Sequence, residues 1–453
     1  MKKKTKIVNT FILSLSLISC FTSIGQEVNT STGVLTLDLK TALKIAHDKN
    51  PTLKIADLEI QKVYYAKKET IGSLLPNISA TGQYTNNIMK NVMFMPSSMS
   101  AMMGGASYME IGYTNSYSGT ISASMPIINF ALWENIKAKQ SQIDLILEQS
   151  RSSNIDIIKS VKDAYYNVLL AKASLKVINQ SIDNANEVLK TTKTGYEHGV
   201  TSEYDYLKAQ VQVNSLTPTL ISAQNALEIA KLQLKMLLSL PENQKLEINE
   251  TLEDYQENLN LIDDFNSNKS YINNSAIRQL DLQIANIQHT LKMTKYQHLP
   301  SLSGFGQYVY QTQAEDYKFK DYNWVSSAAV GLQLKFPIFS GNAVINQTKQ
   351  VEITLKELEL QRNYLSDGTN IQLTSALNNM RTAKEKLLVN KKTIAQAQKG
   401  YDIAKVRYNS GSGTILELND SELQLTQANL NYQQSIYDYL NAQSEYEKAI
   451  GLE

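Results

Sequence analysis

The longest regular pattern in this sequence is a stripe of apolar residues whose spacing alternates between four and three positions. It lies in a stretch from Phe130 to Thr194 that contains neither glycine nor proline. Such spacing is typical of coiled-coil helices, and an unbroken helix here would extend about 90–100 Å. The stripe consists of Ile157, Val161, Ala164, Val168, Ala171, Leu175, Ile178, Ile182, Ala185 and Leu189. A similar stripe runs from Ala376 to Tyr401, so the sequence predicts two very long helices.

Four short segments have a different pattern, in which small or apolar residues alternate with polar ones. Period-two alternation with Tyr, Thr and Val predicts β-strands. The segments are 78–84, 117–124, 302–310 and 325–336, and they follow predicted helices at 37–72 and 274–297. Pro126 and Pro337 are expected to end the two β regions.

Two similar turns are predicted where long helical patterns stop and restart. In each, a glycine is followed after three residues by Ser or Thr and after three more by a carboxylate. This order indicates a helix stop and a capping-box restart, so two helices should fold back on each other. The turns contain Tyr196, Gly199, Ser202 and Asp205 in the first case and Tyr408, Gly411, Thr414 and Glu417 in the second.

These features form two copies of one helix–strand–strand–helix–helix unit. The stretch from Asn50 to Pro76 aligns with 274–300, and Ala164–Leu175 aligns with 376–387. Internal repetition of this kind predicts a duplicated fold. We expect a first repeat over 26–240, an acidic and solvated connector over 241–273, and a second repeat over 274–453.

Composition excludes several classes of function. The net charge is +1, which offers no basic surface for nucleic acid. The single cysteine excludes an internal disulfide, and the four histidines have no metal-ligand spacing. Nucleophile–base pairs and glycine-rich phosphate loops are absent from the sequence. We therefore expect no enzyme, no cofactor and no metal site.

The first 25 residues have the composition of a targeting segment. Lysines at positions 2–4 and 6 precede an apolar run over 8–18, and small residues precede Gln26. This order predicts a signal peptide over 1–25. The run that ends in Cys20 also resembles a lipoprotein box, in which Cys20 would be lipidated, and both interpretations place the chain outside the cytoplasm.

Taken together, the duplicated unit, the two turns and the proline-bounded strand pairs resemble the TolC-type outer-membrane efflux proteins over nearly the whole mature chain. The resemblance implies a mainly α-helical fold with a membrane β-barrel portion. Each protomer of a homotrimer would give four strands to a 12-stranded barrel in outer-membrane lipid. Long coiled-coil helices would form a periplasmic α-barrel. A periplasmic adaptor protein and an inner-membrane pump would be the partners of this passive export channel.

The same resemblance implies roles for residues of the two turns. Glu417 and Asp420, with Asp205 in the first turn, would line the channel entrance and favour cations. Tyr408 would help to latch the entrance shut, and Tyr196, Gly199 and Gly411 would shape the turns. No basic partner for an ionic latch is evident in the second turn over 410–413.

Two features remain open. Seven methionines lie within 89–109, and this segment is expected to be an extracellular loop over the barrel mouth, although thioethers also bind soft metals. Aromatic residues near the strand ends, Tyr84, Tyr108, Tyr113, Tyr117, Phe305, Tyr308, Tyr310, Tyr322 and Trp324, suit the interface belts of a membrane barrel. The alternative to a channel is an exported coiled-coil structural or adhesion protein. The exported substrate is not evident from the sequence.

Overall fold

The computed structural model describes residues 33–96, 98, 104, 107–255 and 273–452. Its first half contains β1 (Leu35–Leu37), α1 (Leu39–Lys49), α2 (Pro51–Gly72), β2 (Asn77–Asn86), β3 (Asn91–Phe94), β4 (Tyr108–Ile111), β5 (Asn115–Ile128), α3 (Phe130–Glu197) and α4 (Glu203–Leu237). Its second half contains β6 (Leu246–Ile248), α5 (Ser275–Tyr296), β7 (Ser301–Ala314), β8 (Val325–Lys335), α6 (Ala343–Asn409) and α7 (Ile415–Ala449). The predicted helix–strand–strand–helix–helix order therefore occurs in both halves.

The two very long helices are present. Helix α3 has 68 residues and α6 has 67, so each extends about 100 Å. Their predicted apolar stripes face the core, where Val161, Val168 and Met380 are fully buried. Helix α3 packs against α2, α4, α5 and α7, and α6 packs against α5 and α7. The stripes thus fix the helix packing, as the spacing predicts.

The predicted helix over 37–72 is wrong in one respect, because it is two helices with a break at Asn50. A residue before proline is restricted to extended conformations, and Asn50 before Pro51 has φ −61° and ψ 127°. The side chain of Asn50 accepts a hydrogen bond from the N–H of Thr52 and donates one to the carbonyl oxygen of Leu237 at 2.8 Å. Asn50 therefore caps α2 and also holds the C-terminal end of α4.

Asn274 makes the same connection in the second half. Its side chain accepts from the N–H of Ala276 at 3.0 Å and donates to the carbonyl oxygen of Ala449 at 3.1 Å. Helix α5 is thereby joined to the C-terminal end of α7, as α2 is joined to α4. Both helices of each pair also pack against α3.

The four predicted strands form one antiparallel sheet in the order β2-β5-β7-β8. The prediction that Pro126 ends the first β region is wrong, because β5 continues to Ile128 through a register shift between Pro126 and Ile128. A bulge lets a strand accommodate a proline that cannot donate to the ladder. Strand β8 ends at Lys335, before Pro337, as predicted.

One face of this sheet is apolar and the other is polar. Cross-strand neighbours share a face, and the pairs Leu302–Leu334 and Gly306–Val330 lie on the apolar side. The pairs Ser79–Ser122, Thr81–Thr120 and Gln307–Ala329 lie on the opposite side. On the apolar face, Ile78 is 70% exposed, Val330 89% and Leu332 69% in the single chain. The apolar face is therefore uncovered in the single chain.

Two small sheets were not predicted. Strands β3 and β4 pair as a hairpin between β2 and β5, and this hairpin accounts for the greater length of the first half. Strand β6 of the connector pairs in parallel with β1. Leu246, Ile248 and Leu252 of the connector are buried in the main core. The connector is thus packed over 246–252, while residues 256–272 lie outside the described part of the chain.

None of the helices in the described part of the chain contains an 18-residue stretch apolar enough to cross a bilayer.

Candidate functional site

The first turn joins α3 to α4 and is shaped by Gly199, whose φ of 72° is in the left-handed region that glycine adopts without strain. The hydroxyl oxygen of Ser202 accepts a hydrogen bond from the N–H of Asp205 at 3.1 Å. The Asp205 carboxylate accepts from the same hydroxyl at 2.9 Å, whereas in a capping box it would accept from a backbone N–H. The ring of Tyr196 stacks on that of Tyr206, with centroids 5.5 Å apart.

The second turn joins α6 to α7 in the same way. Gly411 has a φ of 74°, and the hydroxyl oxygen of Thr414 accepts from the N–H of Glu417 at 3.2 Å. An ion pair of 3.4 Å joins Nη2 of Arg407 to Oε2 of Glu417. Residues 410–413 contain no basic side chain, as expected, but Glu417 has a basic partner in Arg407. Arg407 lies just before residues 410–413, and the reversal of the chain brings it to Glu417, ten positions later.

The two turns also meet each other. Burial raises the pKa of the Tyr408 hydroxyl above its usual range, and the nearby negative charge of Asp205 raises it further. Lys405 of α6 forms an ion pair with Glu187 of α3 at 2.8 Å. The Lys405–Glu187 ion pair connects the hairpin α3–α4 to the hairpin α6–α7 near their tips, and Tyr408 lies close enough to Asp205 to be affected by its charge. Sequence reasoning placed Tyr408 and Asp205 in corresponding turns, but it did not find the Lys405–Glu187 pair.

Glu417 and Asp420 lie on the exposed side of the first turns of α7, and both are exposed. On the opposite side, Ile415 and Leu418 are buried. The Asp420 carboxylate accepts a hydrogen bond from the Gln424 side chain at 2.8 Å. The two carboxylates are thus available to solvent in the single chain, although Arg407 offsets part of the charge of Glu417.

Aromatic residues gather at the end of the sheet that carries the β3–β4 hairpin. The rings of Tyr84 and Tyr117 stack with centroids 4.9 Å apart, and those of Tyr310 and Trp324 stack at 4.9 Å. The hairpin is held to the loop after β7 by an ion pair of 2.7 Å between Lys90 and Glu315.

A second aromatic group marks the opposite end of the sheet, where β5 and β7 join helices. Phe130 contacts Trp133 and Tyr296, with ring centroids 5.4 and 6.3 Å apart. Sequence reasoning missed this group because Phe130, Trp133 and Tyr296 belong to helical segments rather than to strands. The sequence signal that could have identified these three residues is their position directly beside the strand ends.

The remaining candidates from the sequence are the possible metal ligands, the methionine-rich segment and Cys20. Within the described ranges, no group of three or more His, Cys, Asp or Glu side chains could hold a metal ion. Met89 and Met93 of the methionine-rich segment are exposed. Cys20 lies outside the described residues.

The chain is similar to a known family over most of its length. The family described as outer membrane efflux protein matches residues 42–239 and 267–452. The outer membrane protein TolC of Vibrio cholerae is 22% identical over 429 residues, which cover 90% of this chain and 89% of that protein. The alkaline protease secretion protein AprF of Pseudomonas aeruginosa is 23% identical over 341 residues, which cover 72% of this chain and 68% of AprF.

Solved structures have the same fold. The outer membrane protein VceC of Vibrio cholerae superposes with a TM-score of 0.71 at 14% identity, over 91% of this chain and 96% of VceC. The CmeC outer membrane channel of Campylobacter jejuni also superposes with a TM-score of 0.71, at 18% identity, over 91% of this chain and 85% of CmeC.

Proposed function

Because this chain belongs to the outer membrane efflux protein family, we propose that it is an outer-membrane channel for efflux or secretion. The family is a transport family, and the protein is located in the outer membrane, as its relatives are. The observation that carries the proposal is the four-stranded sheet with an exposed apolar face and a polar opposite face. A water-soluble protein covers such an apolar face, whereas a membrane barrel turns it to lipid and its polar face to the lumen.

The sheet requires partners to become a barrel. Its outer strands β2 and β8 have no described strand on their free edges, and unpaired backbone groups are costly in lipid. With an even number of alternating strands, β8 of one protomer can pair with β2 of the next and remain antiparallel. We therefore propose a homotrimer whose protomers together form a 12-stranded barrel, as the family resemblance implies.

We propose that the two halves arose by internal duplication. The two halves have the same element order, and Asn50 and Asn274 make equivalent connections between helices. We propose that residues 1–25 are a signal peptide and that the connector over 241–273 joins repeats over 26–240 and 274–453. In this arrangement the long helices extend from the barrel into the periplasm as an α-barrel.

The two turns are the proposed periplasmic end of the channel. The Lys405–Glu187 ion pair between the helical hairpins would help to hold this end closed, with Tyr408 and Asp205 near each other beside it. In a trimer, Glu417 and Asp420 would form a ring of six carboxylates around the entrance. Crowded carboxylates attract cations, so the entrance should be cation-selective and blocked by Mg²⁺ or a trivalent ion.

A channel of this kind has no energy source of its own. We propose that a periplasmic adaptor and an inner-membrane pump engage the turn end and open it. The polar face of the sheet would provide a wet lumen for the cargo, whose identity would be determined by the pump.

The proposal is tested with the full-length protein purified in detergent. Light scattering should give three times the protomer mass, and the same species in a planar bilayer should conduct ions. A stable monomer would contradict the closed barrel. A trimer that never conducts would favour the alternative of an exported structural or adhesion protein.

A further inference from the structure

A cavity of about 560 Å³ lies between α3 and α7, apart from both turns and from the sheet. Its lining residues nearest to the turns, Glu422 of α7 and Asn184 of α3, are about 10 Å and about 20 Å along their helices from the turn ends. Connector residues close one end of the cavity, and aliphatic side chains such as Val177 and Leu425 line its middle. The cavity is therefore a slot with an apolar centre, and its two ends are polar.

Glu422 of α7 supplies one polar end. Its side chain is buried, at 6% exposure, and burial raises the pKa of its carboxyl. The hydroxyl of Thr426 donates to one carboxylate oxygen at 3.1 Å. The buried Ser181 hydroxyl lines the same cavity and has no hydrogen-bond partner among the described residues. Among the ion pairs of the described residues, none includes Glu422. A buried carboxylate without a cation is costly, so this end favours a positively charged ligand.

Gln433 and Glu253 supply the other end. The Gln433 side chain is 7% exposed, and its Nε2 donates to Oε1 of Glu253 at 2.6 Å. Oε1 of Gln433 is buried and has no hydrogen-bond partner among the described residues. Both ends of the cavity therefore present hydrogen-bond acceptors. Glu422 and Gln433 are eleven residues apart on α7, about 16 Å along the helix axis.

Two lysines also line the cavity, and neither satisfies these acceptors. Lys172 donates to the carbonyl oxygen of Ile248 at 2.6 Å, so its ammonium group is held against the connector. Lys176 is exposed at the mouth of the cavity. The charges of the lining balance, because it contains two lysines and two glutamates. The Glu422 carboxylate and Gln433 Oε1, which have no cationic partner in the described part of the chain, lie at its two ends.

We propose that this cavity binds a long linear aliphatic amine, either a triamine or a diamine whose terminal nitrogens can span the distance between the two ends. An ammonium group has three donors and no acceptor, which matches the Glu422 carboxylate at one end and Gln433 Oε1 at the other. The methylene chain would lie on Val177 and Leu425. A single metal ion fits less well, because the described residues contain no cluster of three ligating side chains. A bound amine would bridge α3 and α7, which belong to different helical hairpins.

Calorimetry on the full-length protein in detergent tests this assignment. The probes are n-butylamine, putrescine, spermidine and 1,8-diaminooctane, with 1,8-octanediol as the uncharged control. We expect one amine per chain and no binding of the diol. Spermidine and 1,8-diaminooctane should bind more tightly than n-butylamine and putrescine, which reach only one end. Because the measurement needs no bilayer, its result is independent of the channel proposal.

Two variants locate the site. Glu422→Gln keeps the side-chain shape and should weaken every amine about thirtyfold or more, since it removes a buried charge partner. Gln433→Met should remove only the preference for spermidine and 1,8-diaminooctane over n-butylamine. Glu385→Gln, an exposed change on α6 with the same loss of charge, should have no effect.

Three results would overturn the assignment: no heat with millimolar spermidine, equal binding of the diol, or unchanged amine affinity in Glu422→Gln. Circular dichroism and light scattering would verify the fold of each variant. If Glu422→Gln does not fold, the test is the ratio of 1,8-diaminooctane affinity to n-butylamine affinity in Gln433→Met, which should be lower than in wild type. An unchanged ratio would contradict the proposed orientation and with it the site.

Discussion

Removing the Lys405–Glu187 ion pair should favour the open channel. The pair joins the two helical hairpins at 2.8 Å, but its side chains are 34% and 61% exposed, so solvent screens it strongly. Exposed pairs contribute about 0.2–1 kcal/mol each. If three protomers open together, the loss is about 0.6–3 kcal/mol, which corresponds to roughly a 3- to 150-fold change in the ratio of open to closed channels.

Lys405→Met removes the charge and keeps most of the aliphatic stem. We expect a higher open probability in single-channel recordings at low salt, and a smaller difference at high salt because screening already weakens the pair. Lys399→Met is the matched control, since Lys399 is exposed on the same helix and belongs to no ion pair of the described residues.

Exchange of the two charges provides a stricter test. Lys405→Glu alone should open the channel further, because it places two carboxylates together. Combination with Glu187→Lys should restore closing, as expected for a direct pair in a double-mutant cycle. Equal open probabilities for wild type, Lys405→Met and Lys399→Met would refute the role of this contact in closing the channel.

Three further predictions concern the entrance, the helix connections and the N-terminus. Asp420→Asn should reduce cation selectivity and Mg²⁺ block more than Glu417→Gln does, because Arg407 already offsets the charge of Glu417. Equal selectivity in wild type and in the Glu417→Gln/Asp420→Asn double variant would place the carboxylate ring elsewhere. Asn274→Ala should destabilise the protein by about 1–3 kcal/mol, because a helix cap and a hydrogen bond are lost. Its unfolding midpoint should therefore be lower than that of the control Asn378→Ala, a change at an exposed position. The intact mass of the mature protein should correspond to a start at Gln26, and a lipid adduct on Cys20 would establish the lipoprotein interpretation instead.

Local patterns were sufficient to predict the long helices, the four strands and the two turns. Helical and strand periodicity, together with Gly199 and Gly411, is a property of neighbouring residues, so it is readable without the fold. The hairpin β3–β4 was not predicted because its short strands lie in a methionine-rich segment without clear alternation.

Contacts between distant residues could not be read from the sequence. Lys405 and Glu187 are 218 positions apart, and Asn50 and Leu237 are 187 apart. No spacing rule connects such residues, because their meeting depends on how the hairpins pack. The buried Glu422 and Gln433 were missed for a related reason: both look like polar surface positions until α3 covers them.

The central claim is that one face of the sheet contacts lipid and the other contacts water, and adjacent residues of β8 test it directly. Cys20 is the only cysteine in the sequence, so a Cys20→Ser background allows single-cysteine probes. Leu332→Cys lies on the apolar face and Gln333→Cys on the polar face. In native outer membranes, a water-soluble maleimide should label Gln333→Cys and leave Leu332→Cys unlabelled until detergent and denaturant are added. Equal labelling of both positions in the membrane would contradict a lipid-facing barrel.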